Sequence, residues 1–128
     1  MNIGNLYAHL SDRRKAVDYF EQALKKNQQS KRPSIKAVIL RDYATAILTV
    51  DEVEEGLRLY EQSLKQWQAT TNKPEEARTA VLLANYHGKK ENNAAAIHYY
   101  NQALEIWKKL DEQNETKKIE ALLNKLEK

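Results

Sequence analysis

AIHYYNQALEIW, residues 96–107, has two counterparts earlier in the chain: GLRLYEQSLKQW at 56–67 and AVDYFEQALKKN at 16–27. The small residues Ala16, Gly56 and Ala96 stand forty positions apart, and so do the aromatics Phe20, Tyr60 and Tyr100. Gln22, Gln62 and Gln102 keep the same spacing, as do Ala23, Ser63 and Ala103, and Leu24, Leu64 and Leu104. Five registers agreeing over three copies define a repeat. Fixed self-similarity at such a period is the signature of a stacked array.

Composition agrees with a helical array. The chain has 128 residues, 41% hydrophobic and 30% charged, which suits a folded, surface-rich protein long enough for one domain. Only three glycines and two prolines are available for turns, and the residues that recur (Ala, Leu, Glu, Lys, Gln) are good helix formers. Apolar stripes at spacings of three and four mark the helices. Val53, Leu57, Tyr60, Leu64 and Trp67 form one stripe. Ile35, Val38, Ile39, Tyr43 and Ile47 mark another, in a helix predicted over about 34–49. The third copy pairs helices over about 75–87 and 93–110, around the turn GKKENN. A closing helix over about 114–127 presents Ile119, Leu122, Leu123 and Leu126 on one side, as expected where an array covers its last apolar surface.

Helix starts carry recognisable signals. Pro33 and Pro74 fall near starts, where the missing N–H costs nothing and the fixed dihedral helps. In DEVE, Asp51 and Glu54 have capping-box spacing. The acids Asp51, Glu52, Glu54 and Glu55 are explained by the positive end of the helix dipole rather than by paired-carboxylate chemistry. The first copy is irregular: residues 1 to about 10 leave a first helix several residues shorter than its counterparts. Either the chain is a piece of a longer array, or a partner covers Ile3, Leu6 and Tyr7, which makes homo-oligomerisation through the N-terminal edge an expectation.

These residues resemble the tetratricopeptide repeat. That family's helix pair carries a small residue and an aromatic in the first helix, then a small residue, an aromatic and an alanine in the second. The matches are Gly4, Tyr7, Ala16, Phe20 and Ala23; then Ala44, Ile47, Gly56, Tyr60 and Ser63; then Ala84, His87, Ala96, Tyr100 and Ala103. The period of forty is longer than the family's usual one, and the proline that commonly closes the unit is absent. Lengthened repeats of this kind look like those of bacterial regulators that sense peptides or partner proteins, and of cargo-binding light chains of motor proteins. The resemblance implies an all-α solenoid: three stacked antiparallel helix pairs plus a closing helix, in a single domain over 1–128. Its repeats would cover about 1–30, 31–71 and 72–112.

The resemblance also implies a function, protein or peptide binding without catalysis, with the first helices lining a concave groove. Asn5, Ala8 and His9, then Arg41, Asp42, Thr45 and Thr49, then Arg78, Asn85 and Lys89 would point into it. This polar, mildly basic surface suits an extended peptide, with a preference for acidic ones. Some grooves of the family hold a terminal carboxylate with two lysines, two asparagines and an arginine. Here Asn5 matches and Arg78 is a like-charged stand-in, whereas Met1, Asp42 and Leu82 occupy the other positions.

Other chemistry finds little support. There is no cysteine, hence no disulfide, thiolate nucleophile or Cys-based zinc site. His9, His87 and His98 share no metal-ligand spacing, and His87 stands in the packing register of Tyr7 and Ile47. No phosphate-binding glycine loop is present, so neither an enzyme nor a cofactor or metal is expected. Trp67 and Trp107 continue apolar stripes and are expected in the core. No run approaches a membrane span and no signal-like segment follows Met1, which makes a cytoplasmic protein the default. The net charge of +3 is mild. From Gln22 through Leu40, however, there are five bases (Lys25, Lys26, Lys31, Arg32 and Lys36) and no acid. A solvated connector, a dock for an acidic protein and a weak nucleic-acid contact are the alternatives there; the lack of interleaved aromatics weighs against nucleic acid. Self-association, or docking within a longer regulator, is the competing role for the chain as a whole.

Overall fold

A computed structural model describes the backbone of residues 3–30, 32–48 and 53–126, and the side chains among them except those of 3–13, 29–30 and 53. The protein is all-α, a helical-repeat solenoid, with no strand among the described residues. Its helices are α1 (Ile3–Ser30), α2 (Pro33–Leu48), α3 (Val53–Gln68), α4 (Lys73–Lys89), α5 (Asn93–Lys109) and α6 (Gln113–Leu126). Two compact units divide the chain, Met1–Ala69 with α1 to α3 and Thr70–Lys128 with α4 to α6.

Unit one departs from expectation at its start. The two short helices expected of the first copy are one helix of 28 residues. The segment LSDRRK between the two expected halves contains neither glycine nor proline. Ser11 and Asp12 cost a helix interior only about 0.5 kcal/mol each, too little to stop it. At the later helix ends the chain carries stronger breakers, Pro74 in one and the αL residues Glu91 and Asp111 in others. The expected apolar edge of Ile3, Leu6 and Tyr7 lies outside the described side chains.

Contacts between α2 and α3 run in reverse order along the two helices, so they are antiparallel. Leu48 meets Gly56, Thr45 meets Tyr60 and Ala37 meets Ser63. The buried face of α2 is Ala37, Leu40, Tyr43, Ala44 and Ile47. Ile35, expected on this face, is instead 40% exposed. The alanines displace it because a helix facing a partner closely needs small residues at the line of contact. Facing them, the stripe of Leu57, Tyr60, Leu64 and Trp67 is buried as expected, and Leu59 and Ser63 join it. The buried Ser63 hydroxyl donates to the Ala37 carbonyl at 2.7 Å and is thereby satisfied. Tyr43 packs against α1, where Phe20 stacks on it with centroids 5.4 Å apart and Glu21 accepts from its hydroxyl.

The two repeats exchange bulk at one contact. An alanine methyl built at Gly56 would lie 2.5 and 2.6 Å from the Leu48 side chain, closer than atoms can sit. Forty residues on, the small position is Ala96 and the place of Leu48 is taken by Gly88, whose own added methyl would meet nothing within 4 Å. Where the first helix ends in leucine, the second begins with glycine; where it ends in glycine, alanine fits.

In unit two, α4 and α5 are again antiparallel, through the pairs His87–Tyr99, Asn85–Tyr100 and Arg78–Trp107. Caps define the ends. The Asn72 and Asn92 side chains each accept from the backbone N–H three residues on, Glu75 and Ala95, the geometry of an N-cap. The C-terminal ends of α4 and α5 each close with a paired bond. Asn92 N–H donates to His87 O and Glu91 N–H to Gly88 O; Glu112 N–H donates to Trp107 O and Asp111 N–H to Lys108 O. This is the Schellman arrangement, and it places Glu91 and Asp111 at φ 62° and 58°. Helix α6 packs on α5, burying Ile119 and Leu123.

Candidate functional site

The polar residues expected on the first helices prove to be tied to the second helices by a bond that recurs with the repeat. In unit one Tyr60 Oη and Thr45 Oγ1 lie 2.7 Å apart. In unit two the Tyr100 hydroxyl donates to Asn85 Oδ1. Both pairs are fifteen residues apart, and one is the other moved by forty. The tyrosine rings are buried, Tyr60 at 1% exposure and Tyr100 at 5%, so their hydroxyls need partners at the rim. Burial also pushes the Tyr100 phenol above its ordinary range.

Proton roles follow from the neighbours. Thr45 Oγ1 donates to the Arg41 carbonyl at 3.0 Å, so its single proton is used and Tyr60 is the donor of the pair. Asn85 accepts through Oδ1, which orients the carboxamide and leaves its Nδ2 hydrogens as what it can offer a ligand. Asn85 can therefore offer a ligand both Nδ2 hydrogens and no more than the second lone pair of Oδ1. Thr45 has little left to offer.

The cationic side chains divide likewise. Arg41 lies over the Trp67 ring at 5.9 Å and reaches Asp42 at 3.9 Å, with a side chain only 25% exposed. It serves as a lid on the core more than as a free charge. Arg78 lies over Trp107 at 5.9 Å and pairs with Glu75, but keeps 59% of its side chain exposed. Such an exposed cation–π contact is worth about 0.5–1 kcal/mol, so the side chain can be redeployed. Lys89 is exposed, with its ammonium 5.0 Å from the Tyr86 ring centroid. The structure thus brings Arg78, Asn85 and Lys89 together on α4 as a set of donors. On α2 it places Arg41, Asp42 and Thr45, largely committed to each other and to the core. Thr49 and the side chains of Asn5, Ala8 and His9 lie outside the described residues.

Both tryptophans are core residues as expected, Trp67 at 2% and Trp107 at 4% exposure. His87 is half-buried and stacks on Tyr99 at 5.6 Å; exposed His98 contacts Gln102 at 3.2 Å. No group of three or more His, Cys, Asp or Glu side chains among the described residues could hold a metal, and no described helix is long and apolar enough to cross a membrane.

Sequence reasoning missed the tyrosine bonds, although the signal was present. In the forty-residue register Thr45 and Asn85 stand opposite Tyr60 and Tyr100, whereas the first copy has Asn5 and a phenylalanine, Phe20, with no hydroxyl to give.

Two family models match the chain, both described as tetratricopeptide repeat, over residues 36–109 and 1–29. No curated protein matches it.

Proposed function

Because the chain belongs to the tetratricopeptide repeat family, whose repeats generally mediate protein–protein interaction as non-catalytic scaffolds, we propose that it binds an extended peptide or protein segment along the polar face of α4. The orientation of Asn85 carries this reading. With Oδ1 already accepting from Tyr100, the amide offers chiefly its two hydrogens, and Arg78 and Lys89 add cationic donors on the same helix, seven residues before and four after. A face of donors selects a ligand of acceptors: backbone carbonyls of an extended strand, and an acidic side chain or a free C-terminus for the two cations. The face of α2 contributes less, since Thr45 and Arg41 are engaged within the unit. A cytoplasmic protein–protein role and the absence of chemistry fit the same reading.

The test uses a library of acidic peptides with free and amidated C-termini, titrated against wild type and an Arg78→Ala, Asn85→Thr double variant. Threonine is chosen at 85 because it is the residue the other repeat uses to receive the tyrosine proton, so the fold keeps its bond while the amide donors go. Binding should weaken about tenfold or more, as for loss of two charge-assisted or directed contacts. Equal binding by both proteins would remove α4 as the ligand face.

A further inference from the structure

The bases between Gln22 and Leu40 do not merely decorate a connector. In unit one, the end of α1, the start of α2 and the end of α3 enclose a cleft of about 270 Å3 lined by Asn27, Gln28, Arg32, Pro33, Lys36 and Gln66. No acid lines it. Five bases elsewhere in the described chain are paired with acids three or four residues away: Arg58 with Glu55, Lys73 with Glu76, Arg78 with Glu75, Lys109 with Glu105, Lys118 with Glu115. Arg32 and Lys36, both exposed, take part in no ion pair among the described residues, because the sequence from 22 to 40 supplies no carboxylate.

We propose that this cleft is a second docking site, separate from α4, which receives a carboxylate-bearing stretch of an acidic polypeptide. The Arg32 guanidinium presents a fork that matches a carboxylate, and Lys36 adds a mobile point charge one helical turn on. The remaining wall is made of carboxamides from two other helices, Asn27 and Gln28 from α1 and Gln66 from α3. Carboxamides both donate and accept, so they suit the peptide groups that flank an acidic side chain. Asn27 is only 7% exposed, so the carboxamides a ligand meets first are those of Gln28 and Gln66. The lining has no aromatic residue on which a base could stack, and a single-stranded nucleic acid gains much of its binding from such stacking. Charge complementarity together with carboxamide walls therefore favours a polypeptide over RNA.

The test is a nitrogen–proton correlation titration of the full chain with a short N-acetylated, C-amidated peptide of alternating Glu and Ser. It is followed at the side-chain amides of Asn27, Gln66 and Asn85. The Asn27 and Gln66 signals should shift, saturate, and weaken as salt is raised, since exposed charges are screened beyond roughly 8 Å at physiological ionic strength. In an Arg32→Glu, Lys36→Glu variant, both residues being exposed and outside the core, the apparent affinity at these signals should fall about tenfold or more. Shifts confined to Asn85 would overturn the cleft while leaving the α4 reading standing. Shifts at Asn27 and Gln66 alone would support the cleft and count against α4. No shift at any of the three would overturn both. Stronger displacement of the cleft signals by oligouridylate than by the peptide, at equal salt, would overturn the assignment to a polypeptide.

Discussion

Replacing Gly56 by alanine should have an effect whose sign depends on the residue at position 48. In a helix interior alanine is favoured over glycine by up to about 1 kcal/mol, so helix propensity alone makes Gly56→Ala stabilising. The packing opposes it. The new methyl would lie 2.5 Å from Leu48 Cγ and 2.6 Å from Cδ2, and Cγ cannot be moved without turning the whole side chain about its first torsion. Overpacking of this kind costs about 1–3 kcal/mol. The balance is a loss of roughly 1 kcal/mol with leucine present, by subtraction of those two terms. In a Leu48→Ala background the obstructing atoms are gone, and the same change should stabilise by about 0.5–1 kcal/mol. The coupling between the two positions is then about 2 kcal/mol, within the range found for residues in contact. Urea denaturation followed by tryptophan fluorescence in a Trp107→Phe background measures it, because Trp67 then reports on unit one alone. A change of equal size and sign in both backgrounds would refute the packing argument, and so would stabilisation with Leu48 in place.

Tyr60→Ala should cost about 3–5 kcal/mol by equilibrium denaturation, since the ring is 1% exposed, whereas exposed His98→Ala should cost roughly 0.5 kcal/mol or less. Glu91→Gly should raise the melting temperature, because a non-glycine residue at φ 62° costs about 1–2 kcal/mol and glycine's added chain entropy returns only part of it; Asp111→Gly at φ 58° should gain less, since aspartate tolerates this region better. Tyr100→Phe should cost about 1 kcal/mol at neutral pH for the lost bond to Asn85. Its pH profile supplies a separate check. The folded phenol holds its proton to higher pH than the unfolded one, so this contribution is whole below about pH 10 and is lost as pH rises through the raised value. Wild-type stability should fall more steeply than the variant's as pH rises above about 10, measured by urea midpoints.

The forty-residue spacing by itself determined the class of fold, the helix pairs of the second and third copies, and the burial of Tyr60, Tyr100, Trp67 and Trp107. Those features repeat, and a helix's apolar period is a property of neighbours three and four residues apart, legible in one dimension. What the sequence read wrongly was local too. LSDRRK resembles a boundary but lacks a breaker strong enough to end α1, and Ile35 looked like core because hydrophobicity was counted without regard to which helix faced it. Only tertiary structure decided that Ala37, not Ile35, meets α3; that Leu48 forbids a methyl at Gly56; and that Tyr100 donates to the carboxamide oxygen of Asn85. The basic cleft belongs with these, since Gln66 joins Arg32 and Lys36 only when α3 folds back along α2. The physical reason is range. A bond between residues fifteen or more apart depends on where two helices cross and how closely, which no local periodicity records.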